Sequence, residues 1–230
     1  ANLLADEFCV VMYDRRGNGR SSSPPGWNST SPEEQADDAA ALVDALGLAP
    51  AAVFGTSGGG LFALELLLRH PSAVRGCVLH EAVLLALVDD PKGARETLTE
   101  LLSEPLASGG PAAAFERFIR FAATDANWER LSPVLRQRML SSARTWLEIE
   151  AGSGRFDTYL PDARALASIA APLMLVIGDD GLAFAAQTAQ RLAKRLGVEV
   201  VRSPGTHFAY VDHPRELAET VRPFLHSASG

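Results

Sequence analysis

Residues 51–71 read AAVFGTSGGGLFALELLLRHP, and this stretch decides the fold. A short apolar run ends at Phe54, a glycine-rich turn follows, and an apolar helical pattern begins without a linker. The pattern predicts a strand, a very sharp turn and a helix, with Ser57 presented on the turn. Gly55 and Gly59 stand two residues to either side of Ser57, where small residues let the strand and the helix approach closely.

The same stretch argues against a phosphate-binding loop. Leu61 stands where a P-loop requires lysine, and Ser57 stands where the dinucleotide-binding fingerprint requires its second glycine. A nucleophilic serine is therefore the preferred interpretation, and the N–H of Gly58 at the helix start is the predicted donor to an oxyanion.

Short apolar runs along the chain predict a sheet. They cover residues 8–13, 51–54, 76–79, 173–177 and 198–201. Their continuous apolar character is typical of parallel strands covered on both faces. Between the first two, Ser31 as N-cap, Pro32 at the first helical position, Glu34 in a capping box and Gly47 at the end predict one helix. The fold class is therefore predicted to be α/β, with a mostly parallel sheet flanked by helices.

The middle of the chain follows a different pattern. Residues 84–165 contain amphipathic helical patterns, one of them beginning at Phe115, and no strand pattern. We therefore expect residues 1–83 and 166–230 to form an α/β core, and residues 84–165 to form a helical lid inserted into it.

Composition and charge limit the possible functions. The hydrophobic content of 47% is enough for a globular core, while the net charge of −7 disfavours nucleic acid or an anionic membrane as the partner. No apolar stretch approaches the ~20 residues that span a bilayer, so we expect a cytoplasmic protein without a membrane partner. Cys9 and Cys77 lie in apolar runs and are interpreted as core residues, not as a disulfide or a metal site.

A nucleophilic serine requires a base, and His207 has the most suitable context. It lies in the loop after the last predicted strand, between Gly205 and a closing helix. It also follows Ser57 in the chain, as expected for a catalytic triad whose chain order is serine, acid and histidine. His213 precedes Pro214 and is expected to begin the final helix. The remaining histidines, without a comparable context, are His70, His80 and His226.

Four motifs in a fixed order resemble the α/β-hydrolase superfamily over nearly the whole chain. They are YDRRGNGRS at residues 13–21, GTSGG at 55–59, APLMLVIGDDG at 171–181 and PGTHF at 204–208. The resemblance implies a cap inserted after the sixth strand of the family fold, and hydrolysis of esters, lactones, amides or related bonds without a cofactor or metal. A serine at position 57 separates the chain from the dehalogenase and epoxide-hydrolase branches, which use aspartate there. Arg15 and Arg16 are interpreted as structural, holding their loop by hydrogen bonds.

The resemblance implies acyl transfer, in which His207 removes the proton of Ser57 and a carboxylate orients the imidazole. The family usually places this acid after its seventh strand, so Asp180 is the first choice and Asp179 the second. Glu81 is the third choice, because some members carry the acid after the sixth strand.

The expected substrate is a small or medium uncharged ester, lactone or similar carbonyl compound. The aromatic residues of the predicted lid either pack its own core, which is the preferred interpretation, or line a pocket; they include Phe115, Phe118, Phe121, Trp128 and Trp146. Two alternatives remain open: a small-molecule binder without turnover, and an inactive fragment. The sequence does not indicate an oligomeric state.

The start of the chain generates one more expectation. Residues 8–13 resemble the fourth strand of the family, whose members carry three strands before it and a second oxyanion donor in a His-Gly loop. We therefore expect a C-terminal portion of a protein longer by roughly 40 to 60 residues, a length set by about three strands and their loops.

Overall fold

The computed structural model describes residues 1–228 and contains one sheet of four parallel strands in the order β1-β2-β3-β4. The strands are β1 Ala51–Thr56, β2 Val74–His80, β3 Leu173–Asp180 and β4 Val200–Thr206. Each of the four apolar runs from residue 51 onwards forms a strand, and each strand continues past the predicted end. Because the strands are parallel, their carboxyl ends meet at one edge of the sheet.

Helices cover both faces of this sheet. In chain order they are α1 Pro32–Ala45, α2 Gly58–Arg69, α3 Pro91–Ala123, α4 Asp125–Arg130, α5 Pro133–Leu140, α6 Arg155–Thr158, α7 Ala163–Ala167, α8 Ala183–Leu196, α9 Ala209–Asp212 and α10 Pro214–Ser227. Cys77 and Leu79 of β2 pack with α2 and α8 on one face, while Val78 packs with α9 and α10 on the other. The predicted α/β class with a helix-flanked parallel sheet is therefore confirmed.

Helix α1 begins as the sequence predicts. The Ser31 hydroxyl accepts a hydrogen bond from the N–H of Glu34 at 3.2 Å, and Pro32 is the first helical residue. The carboxylate of Glu34 accepts from Thr30 at 2.6 Å and from the Trp27 indole at 3.1 Å. The N-cap at Ser31 is thus confirmed, whereas the Glu34 carboxylate holds the preceding loop through Thr30 and Trp27 instead of closing the predicted capping box on the N–H of Ser31.

Helices α3 to α7 lie between β2 and β3, together with a π-helix at Thr145–Glu150. Residues 91–167 are called the helical segment below. The longest helix, α3, breaks at Gly110, whose φ of 71° is left-handed, directly before Pro111, which lacks an N–H.

The loop at Arg15 and Arg16 is tied down by hydrogen bonds, as predicted. Arg15 binds Glu150 of the π-helix through its two terminal guanidinium nitrogens, Nη1 and Nη2, at 2.7 and 2.9 Å. Arg16 donates to Asp38 at 2.8 Å. Asn18 also donates to Glu150, at 3.1 Å. These bonds connect the loop to the helical segment and to α1.

Residues 8–13 do not form a strand, so this part of the prediction is wrong. The run is exposed, with Met12 76% accessible, and it pairs with none of the four strands of the described chain. An extended segment becomes a strand only where a neighbour completes its hydrogen bonds, and apolar character alone does not supply that neighbour.

The two cysteines have opposite environments. Cys9 lies in the exposed run and is itself exposed, which contradicts its assignment to the core. Cys77 is 0% accessible in β2, as predicted. Burial raises the pKa of the Cys77 thiol to about 12.

None of the described helices combines the length and the apolar character that a membrane crossing requires.

His80 is a buried polar residue at the carboxyl end of β2. Its ring is fully buried, stacks on Phe54 with centroids 5.8 Å apart and meets the edge of Tyr210. Nδ1 lies 2.9 Å from the Thr56 hydroxyl, while Nε2 has no hydrogen-bond partner among the described residues. Burial lowers the pKa of His80 from 6.5 to about 4, so the ring is neutral near pH 7.

This burial predicts an acid-sensitive stability. Between about pH 6.5 and pH 4 an unfolded histidine binds a proton that buried His80 does not, so the free energy of unfolding falls as the pH falls. The full effect is on the order of 3 kcal/mol. His80→Phe keeps an aromatic ring in this position and removes the titration. Urea unfolding gives the free energy of unfolding of wild type and His80→Phe at about pH 7 and about pH 5. The decrease from pH 7 to pH 5 should be smaller in His80→Phe than in wild type, and equal decreases would contradict the argument.

Candidate active site

Ser57 forms the turn between β1 and α2. Its backbone has φ 53° and ψ −129°, a conformation that residues with a side chain rarely adopt. The N–H of Ser57 donates to the carbonyl of His80 at 3.1 Å, and its own carbonyl accepts from Gly60 at 2.9 Å. Such strained conformations persist only when their surroundings enforce them, and they cluster at functional sites.

The glycines around Ser57 have different roles. A Cβ on Gly55 would lie 2.4 Å from the carbonyl oxygen of Gly59, so the predicted close approach of strand and helix is real at that position. A Cβ on Gly59 would meet nothing within 4 Å, so the prediction that close packing requires a small residue at position 59 is wrong. The second crowded position is Gly60, where a Cβ would lie 2.5 Å from that of Ala82.

The N–H of Gly58 opens α2 next to Ser57. Gly58 is exposed, and the first N–H groups of a helix have no partner within the helix. They carry the positive end of the helix dipole, so this N–H suits an anion formed beside Ser57.

His207 lies directly after β4, which ends at Thr206. The residue is 1% accessible, and its Nδ1 lies 2.9 Å from Oε2 of Glu81. The two side chains come from loops that follow different strands, 126 positions apart in the chain.

Glu81 is a fully buried carboxylate whose oxygens are both hydrogen-bonded. Oε1 accepts from the N–H of Gly178 at 2.8 Å, and Oε2 accepts from the N–H of Leu182 at 3.0 Å besides its contact with His207. Burial raises the pKa of Glu81, but the hydrogen bonds from His207, Gly178 and Leu182 outweigh it and bring the pKa below its usual value. The carboxylate is therefore ionised at neutral pH.

The carboxylate beside His207 is Glu81 and not Asp180. Asp180 is still part of β3, is exposed, and pairs through its backbone with Thr206. Asp179 is also exposed, and its side chain accepts from Arg202 at 2.8 Å. The strand extends further than its apolar run suggests, so both aspartates lie in β3 and precede the loop that was predicted to carry the acid.

Three of the other histidines contact carboxylates elsewhere, while His80 bonds the Thr56 hydroxyl. His70 contacts Asp37 at 2.7 Å and His226 contacts Glu7 at 2.9 Å, both near the surface. His213 stands at the N-cap position where α10 begins, as predicted, but its side chain makes no capping bond and contacts Asp212 at 3.1 Å. Within residues 1–228 no group of three or more His, Cys, Asp or Glu side chains has the arrangement of a metal site.

Aromatic side chains of the helical segment pack with one another. Trp146 lies 5.1 Å from Phe115 and 4.7 Å from Phe118 between ring centroids. Trp128 is 1% accessible and belongs to the same apolar cluster as Phe208, the residue after His207. The observed contacts agree with the preferred packing interpretation and connect the helical segment to the histidine loop.

Comparison with known proteins extends these observations. A model of the family described as alpha/beta hydrolase fold matches residues 1–214. The chain is 30% identical to the uncharacterized hydrolase YraK of Bacillus subtilis, with 98% of this chain and 82% of YraK aligned. It is 25% identical to the zearalenone hydrolase of Cladophialophora bantiana, over 95% of this chain and 80% of that protein.

A solved structure has a similar fold. A hydrolase from Pseudomonas aeruginosa superposes with a TM-score of 0.76 at 26% identity, covering 97% of this chain and 82% of that one. The family match spans most of the chain, and the parallel sheet with its sharp turn at Ser57 has the corresponding architecture. The chain therefore belongs to the α/β-hydrolase superfamily.

Proposed function

We propose that this α/β-hydrolase is a serine hydrolase that acts by acyl transfer through Ser57, His207 and Glu81. The observation that carries the proposal is the buried contact between His207 Nδ1 and Glu81, 2.9 Å long, on the same sheet edge as the strained turn at Ser57. A buried carboxylate on Nδ1 directs the other ring nitrogen, Nε2, towards use as a base.

The proposed reaction begins at a carbonyl carbon of the substrate. Ser57 Oγ attacks this carbon while His207 Nε2 takes the hydroxyl proton, and the carbonyl electron pair moves onto oxygen. The N–H of Gly58 donates to the resulting oxyanion. When the bond to the leaving group breaks, His207 returns the proton to the leaving group and the acyl group stays on Ser57. Water then attacks the acyl carbon and gives a proton to His207. The bond from this carbon to Ser57 Oγ breaks, His207 returns the proton to Oγ, and the acid product leaves.

Glu81 stabilises the charged imidazolium that forms in both steps. Because the pKa of Glu81 is lowered, the carboxylate holds its negative charge while His207 is protonated. Its remaining hydrogen bonds come from backbone N–H groups, which keep its position fixed. The mechanism uses no cofactor and no metal.

The helical segment is the proposed lid, corresponding to the predicted unit at residues 84–165 between core parts 1–83 and 166–230. Its apolar cluster includes Phe208 next to His207, which supports a position beside the site. Apolar surroundings favour small or medium uncharged esters and lactones over highly charged substrates.

The first prediction from the proposed function concerns the nucleophile. A fluorophosphonate probe should label the wild-type chain at Ser57, and Ser57→Ala should abolish labelling and lower kcat at least about a thousandfold. Ser29→Ala, at an exposed serine, is the matched control and should label normally. A wild-type chain that binds carbonyl compounds but neither reacts with the probe nor turns over would instead be a binding protein.

The second prediction separates the candidate acids. Glu81→Gln should lower kcat on the order of a hundredfold or more, because an unoriented imidazole is a poor base. Asp180→Asn and Asp179→Asn should remain close to wild type, since both side chains are exposed. Circular dichroism must show that Glu81→Gln is folded. Activity in Glu81→Gln together with inactivity in Asp180→Asn would reverse the assignment.

The third prediction concerns the substrate class. Short-chain nitrophenyl esters, aryl esters and lactones should be hydrolysed in a Ser57-dependent manner. Zearalenone belongs in the panel because one relative is named for its hydrolysis. Cleavage confined to phosphoesters or peptides would show that the proposed substrate class is wrong.

A further inference from the structure

Asp212 is a buried carboxylate outside the proposed triad, and its side chain is 3% accessible. Oδ2 accepts three hydrogen bonds: from the N–H of Thr206 at 3.2 Å, from the Thr206 hydroxyl at 2.5 Å and from Asn127 Nδ2 at 2.7 Å. Oδ1 lies 3.1 Å from Nδ1 of His213. A buried charge is tolerated only when its lone pairs are satisfied in this way.

These bonds hold the backbone on both sides of His207. On one side Asp212 binds the N–H of Thr206 directly. On the other side the N–H of Phe208 donates to the Thr206 hydroxyl at 3.1 Å, and that hydroxyl in turn donates to Asp212. The hydroxyl of Thr206 is therefore a link between Asp212 and the residue that follows the histidine.

The contact between Asp212 and the loop leaves no room for a side chain before Thr206. Gly205 has a φ of 110°, and a Cβ there would lie 2.7 Å from Oδ1 of Asp212. Both this φ, which residues with a side chain rarely adopt, and the closeness of Asp212 favour glycine two residues before His207.

Asn127 extends this arrangement into the helical segment. It lies on α4, is 6% accessible, and donates its side-chain N–H to Asp212. Its neighbour Trp128 belongs to the apolar cluster that includes Phe208. Asn127 also donates to the Thr206 hydroxyl at 3.4 Å. Two consecutive residues of α4 therefore connect to the residues around His207, Asn127 through hydrogen bonds and Trp128 through a shared apolar cluster.

We propose that Asp212 is a positioning residue for His207, which it holds through Thr206, and that Asn127 couples this arrangement to the helical segment. The inference rests on the proposed function of His207 as the base. The imidazole must meet both Glu81 and Ser57, and a displacement of about 1 Å of a catalytic group costs on the order of a hundredfold in rate. Asp212 binds Thr206 at the end of β4, and the imidazole belongs to the next residue.

The test begins with a matched pair at Thr206. Thr206→Val keeps the shape and removes the hydroxyl, and it should lower kcat on the order of tenfold or more with little change in KM. Thr206→Ser keeps the hydroxyl and should stay within about twofold of wild type. Asp212→Asn and Asn127→Leu should also lower kcat. A smaller effect is expected for Asn127→Leu, because it removes the bonds from Asn127 to Asp212 and to the Thr206 hydroxyl but leaves both bonds between Thr206 and Asp212.

A double-mutant cycle with His207→Ala separates positioning from a general loss of structure. If Asp212 acts through the imidazole, Asp212→Asn should not lower the residual activity of His207→Ala any further. A structural role would lower both backgrounds by the same factor, and that result would overturn the inference. Full activity in Thr206→Val and Asp212→Asn would overturn it as well.

Proton NMR provides a readout that does not depend on turnover. The Nδ1–H of His207, bonded to Glu81, should give a downfield resonance that is missing in His207→Ala. Asp212→Asn and Thr206→Val should broaden or shift it, while Thr206→Ser should preserve it; an unchanged resonance in all three variants contradicts the inference. A wild-type chain that shows the resonance but has no esterase activity and no probe labelling refutes the proposed function instead.

Discussion

The contact between Glu81 and His207 is the interaction on which the rest of the site depends. Moving a carboxylate out of water is costly unless hydrogen bonds replace the water, and Glu81 is fully buried. Its replacement donors come from three places: His207 after β4, and the N–H groups of Gly178 and Leu182 near the end of β3. The order of the strands in the sheet is what brings these groups together. Removing any one of the three leaves a buried charge short of a partner.

The same sheet edge also carries the backbone strain. Ser57 and Glu81 both have positive φ, at 53° and 48°, and they follow the adjacent strands β1 and β2. The carbonyl of His80 joins them, because it accepts from the N–H of Ser57 and precedes Glu81. Unfavourable conformations persist where surrounding packing determines them, and here β2, buried at every position except Arg75, supplies that packing.

The sequence predicts those features of the fold and the site that depend on neighbouring residues, and it fails for those that depend on contacts distant in the chain. The turn at Ser57 and the cap at Ser31 are decided by neighbours within a few residues, so spacing alone predicts them. The carboxylate partner of His207 depends on where β3 ends, and β3 runs through polar residues to Asp180. A clearer signal was available at Glu81, because residues 76–88 are apolar apart from Glu81 and its neighbour His80, and of these two only Glu81 is charged at neutral pH. Residues 8–13 have strand composition, but strand formation requires a hydrogen-bonded neighbour that composition does not reveal.

The contrast between the two cysteines gives the chain an internal reporter. Cys9 is exposed and open to alkylation in the folded state, whereas Cys77 is sealed in β2, three residues before His80. Thiolates and not thiols react with alkylating agents, and a pKa of about 12 keeps Cys77 protonated as well as inaccessible. Modification of the second thiol therefore requires the central sheet to open. Its rate under pulsed alkylation, read by mass, measures the opening of β2, the strand that ends directly before Glu81, without any engineered probe.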